Sequence, residues 1–192
     1  MSFRVNGGHE LKGVVEEFLN YLDAPKTNHG KGLSSSLMLQ IEEYGDLMVK
    51  AAIDRFGTEK SWQNRAGCYI CVADYDSGFP GLVFRVGNPV PEKLFRYWFF
   101  SQEKALRTAF YKHTTSFESA DDDLMHYGGA VRVPRQIIAP SGFPAHGDEA
   151  IALGMHVLIG NIAIKQARSI AAKSGNPYFD VLVKDIEESM GL

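Results

Sequence analysis

Between residues 128 and 152 the chain reads Gly-Gly-Ala-Val-Arg-Val-Pro-Arg-Gln-Ile-Ile-Ala-Pro-Ser-Gly-Phe-Pro-Ala-His-Gly-Asp-Glu-Ala-Ile-Ala. A glycine pair leads into an apolar, β-branched stretch, and Ser141-Gly142-Phe143-Pro144 closes it. Asp148 and Glu149 then open a long apolar helix. β-branched residues suit a pleated, half-buried surface, and acidic side chains suit the positive end of a helix. The segment is therefore predicted as strand, turn and helix in direct succession. Pro134-Arg135 can also split residues 130–139 into a tight hairpin. The junction gathers backbone N–H groups and a helix dipole at one exposed spot, which can hold an anion or cap the helix. Gly142, in the turn itself, is expected at φ > 0.

The rest of the chain supplies layers for this strand to pack in. Residues 6–23 place Leu11, Val14, Val15, Phe18, Leu19 and Leu22 at helical spacing, and 24–32 is loop-like. Ser34-Ser35-Ser36 is an N-cap cluster for a helix whose face is Leu37, Ile41, Tyr44, Met48 and Ala51, with Gly57 as its stop. Residues 67–73 and 81–86 read as strands around Asp74-Tyr-Asp-Ser-Gly. A second long helix is predicted over 91–113, with Phe95, Trp98, Phe99, Gln102, Ala105, Leu106, Ala109 and Phe110 as its stripe. Residues 118–125 form a short acidic helix or turn. The last core helix is expected to bury Ile151, Met155, Leu158, Ile159 and Ile162. A tail at 178–190 carries Val181, Val183, Ile186 and Met190 at helical spacing.

This order predicts one α+β domain over 1–192, an antiparallel sheet with helices packed mainly on one face, in profilin-like or PAS-like layers. The N- and C-terminal helices, 1–33 and 173–192, are extensions expected to cover a sheet edge or join a subunit interface. Apolar surplus in those helices and at Trp98, Phe99 and Phe100 predicts a homo-oligomer.

Of 192 residues, 45% are hydrophobic and 22% charged, and the net charge is -3. No basic surplus points to nucleic acid or an anionic membrane. The longest apolar run, 151–164, is broken by Gly154, His156, Gly160 and Asn161, too short and polar to span a bilayer. The N-terminal residues lack a secretory apolar core, so a cytoplasmic location is expected. Cys68 and Cys71 have the spacing of a zinc half-site but lie in a strand, on opposite faces, with no second pair. They are read as buried small apolar residues.

Taken in order, several motifs resemble the HbpS/GlcG-like haem-binding and haem-degrading domain superfamily, in a largely uncharacterised cytosolic branch. These are Lys104-Ala105, Thr108-Ala109, Thr114-Thr115-Ser116, Gly128-Gly129, Ser141-Gly142-Phe143-Pro144 and Asp148, with a β-hairpin upstream at 66–86. The resemblance covers roughly residues 34–172. The stretch between the glycine pair and the Ser-Gly turn is shorter than the family's fuller hairpin. The resemblance implies this same layered fold, frequent symmetric oligomers, and haem as the best single ligand.

Candidate site residues follow. Lys104 and Arg107, one turn before Tyr111, could hold a carboxylate such as a haem propionate; the plainer reading is a solvated face with a salt bridge to Glu103. His113 and His146 are the candidate axial ligands, or else a helix-end and a loop histidine. Ser141, Gly142 and Asp148 complete the ligand-binding set at the N–H-rich turn. His126 reads as a cap, His156 as core, His9 and His29 as solvated. Ser141 lacks the flanking glycine of a nucleophile elbow, and no phosphate loop, dinucleotide fingerprint or paired metal-ligand motif is present. Three readings stay open: a small-ligand, possibly haem, binding domain in a homo-oligomer; an enzyme acting on haem or a small organic substrate; and a non-catalytic oligomeric interaction module.

Overall fold

The computed structural model describes residues 35–190; the segments at 6–23 and 24–32, with His9 and His29, lie outside them. Helix α1 (Ser35–Phe56) is followed by strands β1 (Gly67–Asp74) and β2 (Pro80–Gly87), then helix α2 (Leu94–Phe110). Strands β3 (Val131–Val133) and β4 (Gln136–Ser141) come next, followed by helices α3 (Ala145–Leu158), α4 (Ile164–Ser174) and α5 (Phe179–Met190). The four strands form one antiparallel sheet in the order β2-β1-β4-β3. This is the α+β architecture expected from the sequence.

Alternation along β1 sorts the core. Cys68, Ile70 and Val72 face one side, with Val86, Val131 and Ile138 beside them and α1, α3 and α5 packed above. Cys71 and Ala73 face the other side, with Ile137 and Ala139, against Ala105 and Ala109 of α2 and Ala130. The two cysteines are thus free thiols on opposite faces, both buried. Small residues on the α2 side (Ala73, Ala139, Ala105, Ala109 and Ala130) let the helix sit close to the sheet. Gly78, at φ +68°, brings the β1–β2 turn onto that helix. A Cβ there would lie 2.8 Å from both the Ala105 carbonyl oxygen and the Ala109 Cβ.

The stretch 130–139 is the tight hairpin, turning at Pro134-Arg135 with Arg135 at φ +94°. Four expectations need correction. The predicted stripe of α2 is buried only in part: Phe99, Gln102, Ala105, Leu106 and Ala109 are buried, Phe95, Trp98 and Phe110 are exposed, and Glu103, Lys104, Arg107 and Thr108 are buried as well. The cause is residues 111–130, which cross the outer side of α2 and seal it. Phe99 and Phe100, expected at the surface, are buried with Met125 and Tyr127 against them. The last core helix ends at Leu158, where Gly160 turns at φ +79°, and α4 starts anew at Ile164. The apolar run through Ile162 hid this break. Nor does the tail helix cover an edge: Phe179, Leu182 and Val183 of α5 are core residues packed with α1 and α3. The side chains of Ile186 and Met190 lie outside the described set.

Candidate functional site

Strand β4 ends at Ser141 and α3 begins at Ala145, so three residues make the junction. Gly142 is held in it by Arg65, whose Nη1 donates to the Gly142 carbonyl at 2.8 Å while its Nε donates to Ser61 O at 3.0 Å. Gly142 is not in the positive-φ region, contrary to expectation. Its glycine identity follows from close approach: a Cβ would lie 2.6 Å from both the Cys68 Cβ and the Gly67 carbonyl oxygen of β1.

Beneath the junction lies a buried ion pair. Lys104, reaching from α2, donates Nζ to Asp148 Oδ2 at 2.8 Å and to the Pro140 carbonyl at 2.9 Å. The Phe143 N–H donates to Asp148 Oδ1 at 3.0 Å, so Asp148 ties the junction to α3 with one oxygen and binds lysine with the other. Burial pushes the Asp148 carboxyl above its ordinary value, against the opposing pull of the Lys104 ammonium and the Phe143 N–H. The glycine pair explains the space for this: Gly129, at φ +114°, would with a Cβ come 2.6 Å from the Asp148 Cβ and 3.3 Å from Lys104 Nζ.

The ion pair lies at a cavity of about 250 Å³, walled by the Ser141–Ala145 junction, the first turns of α2, Arg65 and Tyr127. Its lining carries four cations, Arg65, Lys93, Arg96 and Lys104, against the single carboxylate of Asp148. Arg96 donates Nη2 to the Tyr127 hydroxyl at 2.8 Å, and its guanidinium lies 5.6 Å from the ring centroids of both Phe100 and Tyr127. Burial raises the Tyr97 phenol, which keeps it a proton donor; Arg65 and Arg96 oppose the shift and Asp148 adds to it. Among the described residues Tyr97 Oη and Ser141 Oγ have no hydrogen-bond partner, and Arg65 and Arg96 keep guanidinium N–H groups open.

Of the residues singled out from sequence, Lys104, Ser141, Gly142 and Asp148 share this cavity. Arg107, His113 and His146 do not line it. Arg107 is wholly buried on the far side of α2, paired with Glu103 and donating to Ser116 O at 3.0 Å, Ser119 Oγ at 2.7 Å and Tyr127 O at 2.7 Å. His113 follows α2 and stacks on Tyr111 at 5.5 Å. His146 starts α3 but faces away, stacked on Phe117 at 4.4 Å; burial lowers its pKa. Lys93, Arg96, Tyr97 and Phe100 were not singled out as site residues. For Lys93, Tyr97 and Phe100 the signal is the spacing 93, 97, 100, 104, one helix face with Lys104, and Arg96 stands four residues before Phe100. Arg65, in the loop before β1, has no such signal.

The lining holds no histidine, so neither His113 nor His146 stands where it could serve a ligand in this cavity.

No family model matches the chain, and no curated protein matches its sequence. Among solved structures the chain is similar to the crystal structure of Klebsiella pneumoniae protein ORFY, of the family model DUF336. The TM-score is 0.42 and the identity 13%, covering 72% of this chain and 97% of that one. At this level the likeness decides neither family nor ligand.

Proposed function

We propose that this domain binds a small organic anion, a carboxylate, in the cavity at the β4–α3 junction. One observation carries the reading: the open hydrogen-bonding groups on the wall are the donor-only guanidinium groups of Arg65 and Arg96 and the Tyr97 and Ser141 hydroxyls, which can donate, while both oxygens of the one lining carboxylate are already engaged by Lys104 and Phe143. Such a site is complementary to an acceptor carrying negative charge, and guanidinium groups bind carboxylates through paired N–H donors. Lys104 and Asp148 form the floor and set its shape. Calorimetric titration with small carboxylates should give saturable binding that falls about tenfold in Arg65→Gln, roughly 1.4 kcal/mol. Equal affinity for carboxylates and for their neutral amides would sink the reading. A haem titration serves as control and should give no saturable absorbance band.

The binding domain is further proposed to act as a homo-oligomer. Phe95 and Trp98 stand exposed on adjacent turns of α2, their ring centroids 5.8 Å apart, a surface better suited to a second copy than to water. Light scattering should give a multiple of the monomer mass, reduced by Trp98→Glu. A monomer mass at all concentrations would refute it.

A further inference from the structure

We infer that the anion is a planar aromatic carboxylate. This inference rests on the anion-binding reading above and narrows it. Two anion positions are conceivable at this junction. One is the N-terminus of α3, whose unpaired N–H groups and dipole would suit a phosphate. That position already holds a negative charge: Asp148 accepts from the Phe143 N–H, with Lys104 as its counter-ion. A second anion there, least of all a dianion, would meet the buried Asp148 carboxylate. The other position lies toward Arg65 and Arg96, which retain open donors.

The wall between these charges is aromatic. Phe100 and Tyr127 meet edge to face at 5.0 Å, with the Arg96 guanidinium near both rings, and Tyr97 comes from the same helix face. Rings and a guanidinium plane together favour a flat π-system, which stacks where a saturated ring gains only contact area. The volume of about 250 Å³ suits a single substituted ring. At the floor, Lys104 spends two of its three N–H donors on Asp148 and Pro140. The third is left for an acceptor on the ring, such as a hydroxyl opposite the carboxylate.

Titration calorimetry of the full chain tests this with benzoate, 4-hydroxybenzoate, cyclohexanecarboxylate, acetate and inorganic phosphate as probes. Benzoate should bind at least tenfold tighter than cyclohexanecarboxylate or acetate, and 4-hydroxybenzoate tighter than benzoate. Arg96 is exposed, so Arg96→Gln should fold normally and weaken benzoate about tenfold. If acetate or phosphate binds as tightly as benzoate and still depends on Arg96, the anion site stands and its aromatic selectivity is refuted. If cyclohexanecarboxylate equals benzoate, the planarity argument fails. If no anion binds, the anion-binding reading fails as well.

Discussion

Gly142 and Gly129 both stand where a Cβ would collide, but only Gly129 also has a positive φ. At Gly142 the backbone is ordinary and the obstacle is β1, 2.6 Å from where a Cβ would stand. Gly142→Ala should therefore destabilise the fold by about 1–3 kcal/mol, as overpacking does. Ser141→Ala, which removes a hydroxyl with no partner, should change stability by less than about 0.5 kcal/mol. Urea denaturation midpoints compare the two directly. The ion pair gives a sharper test. Lys104→Met strands the buried Asp148 charge and should cost about 3–5 kcal/mol. Adding Asp148→Asn removes that charge while keeping an oxygen for the Phe143 N–H. The double variant should thus be more stable than Lys104→Met alone; a further loss would mean that Lys104 matters through packing rather than charge. At this scale the sequence was half legible. Lys104, Ser141, Gly142 and Asp148 carried type and order enough to be singled out together. Arg107 did not reveal that it is a buried strut, because a helix stripe says nothing of a loop that later crosses it.

Elements were legible where punctuation was local. Pro134-Arg135 marked the hairpin, and Ser174-Gly175 ended α4 with Gly175 at φ +69°, as a left-handed cap requires. The α3–α4 break was hidden because apolar residues run across it. His156 pins that break: its Nε2 faces the Val131 carbonyl at 3.1 Å, and a carbonyl can only accept, so Nε2 carries the proton. Nδ1 then accepts from Asn161 Nδ2 at 3.1 Å. The ring is neutral, and burial lowers its pKa from 6.5 to about 4. Between those values the unfolded chain binds a proton that the folded one refuses. The stability due to His156 is therefore present above pH 6.5 and lost as pH falls toward 4, by about 3 kcal/mol in all. Asp148, Glu103 and Glu149 act with the opposite sign, since burial raises their carboxyls and the folded state takes up their protons sooner as pH falls. The raw profile mixes both effects. The difference between wild type and His156→Gln isolates the histidine: the gap in unfolding free energy should shrink from pH 7 to pH 4.5. A gap independent of pH would mean that His156 titrates alike in the folded and unfolded chain, so that burial leaves its pKa unshifted.

At the scale of the whole molecule, the layered plan was readable because strand alternation and helix spacing are local patterns that agree with one another. The cavity was not, because it forms where four distant pieces meet: the Arg65 loop, the start of α2, Tyr127 and the β4–α3 junction. This gives Arg107 a part in the site although it lines none of it. Through Tyr127 O at 2.7 Å and Ser116 O at 3.0 Å it fastens the crossing segment that carries one wall. A ligand that binds only the assembled cavity stabilises the fold by about 2.7 kcal/mol at a hundred times its Kd. For a chain of this size that is a rise in Tm of roughly 5–10 °C. Wild type with excess benzoate should show that rise in a thermal melt. Arg107→Lys keeps the charge but loses the planar fork that holds several carbonyls at once. It should lower the ligand-free Tm and, at the same benzoate concentration, shrink the benzoate-induced rise. An undiminished rise in Arg107→Lys would show that the Tyr127 wall stands without its strut and that Arg107 serves stability alone.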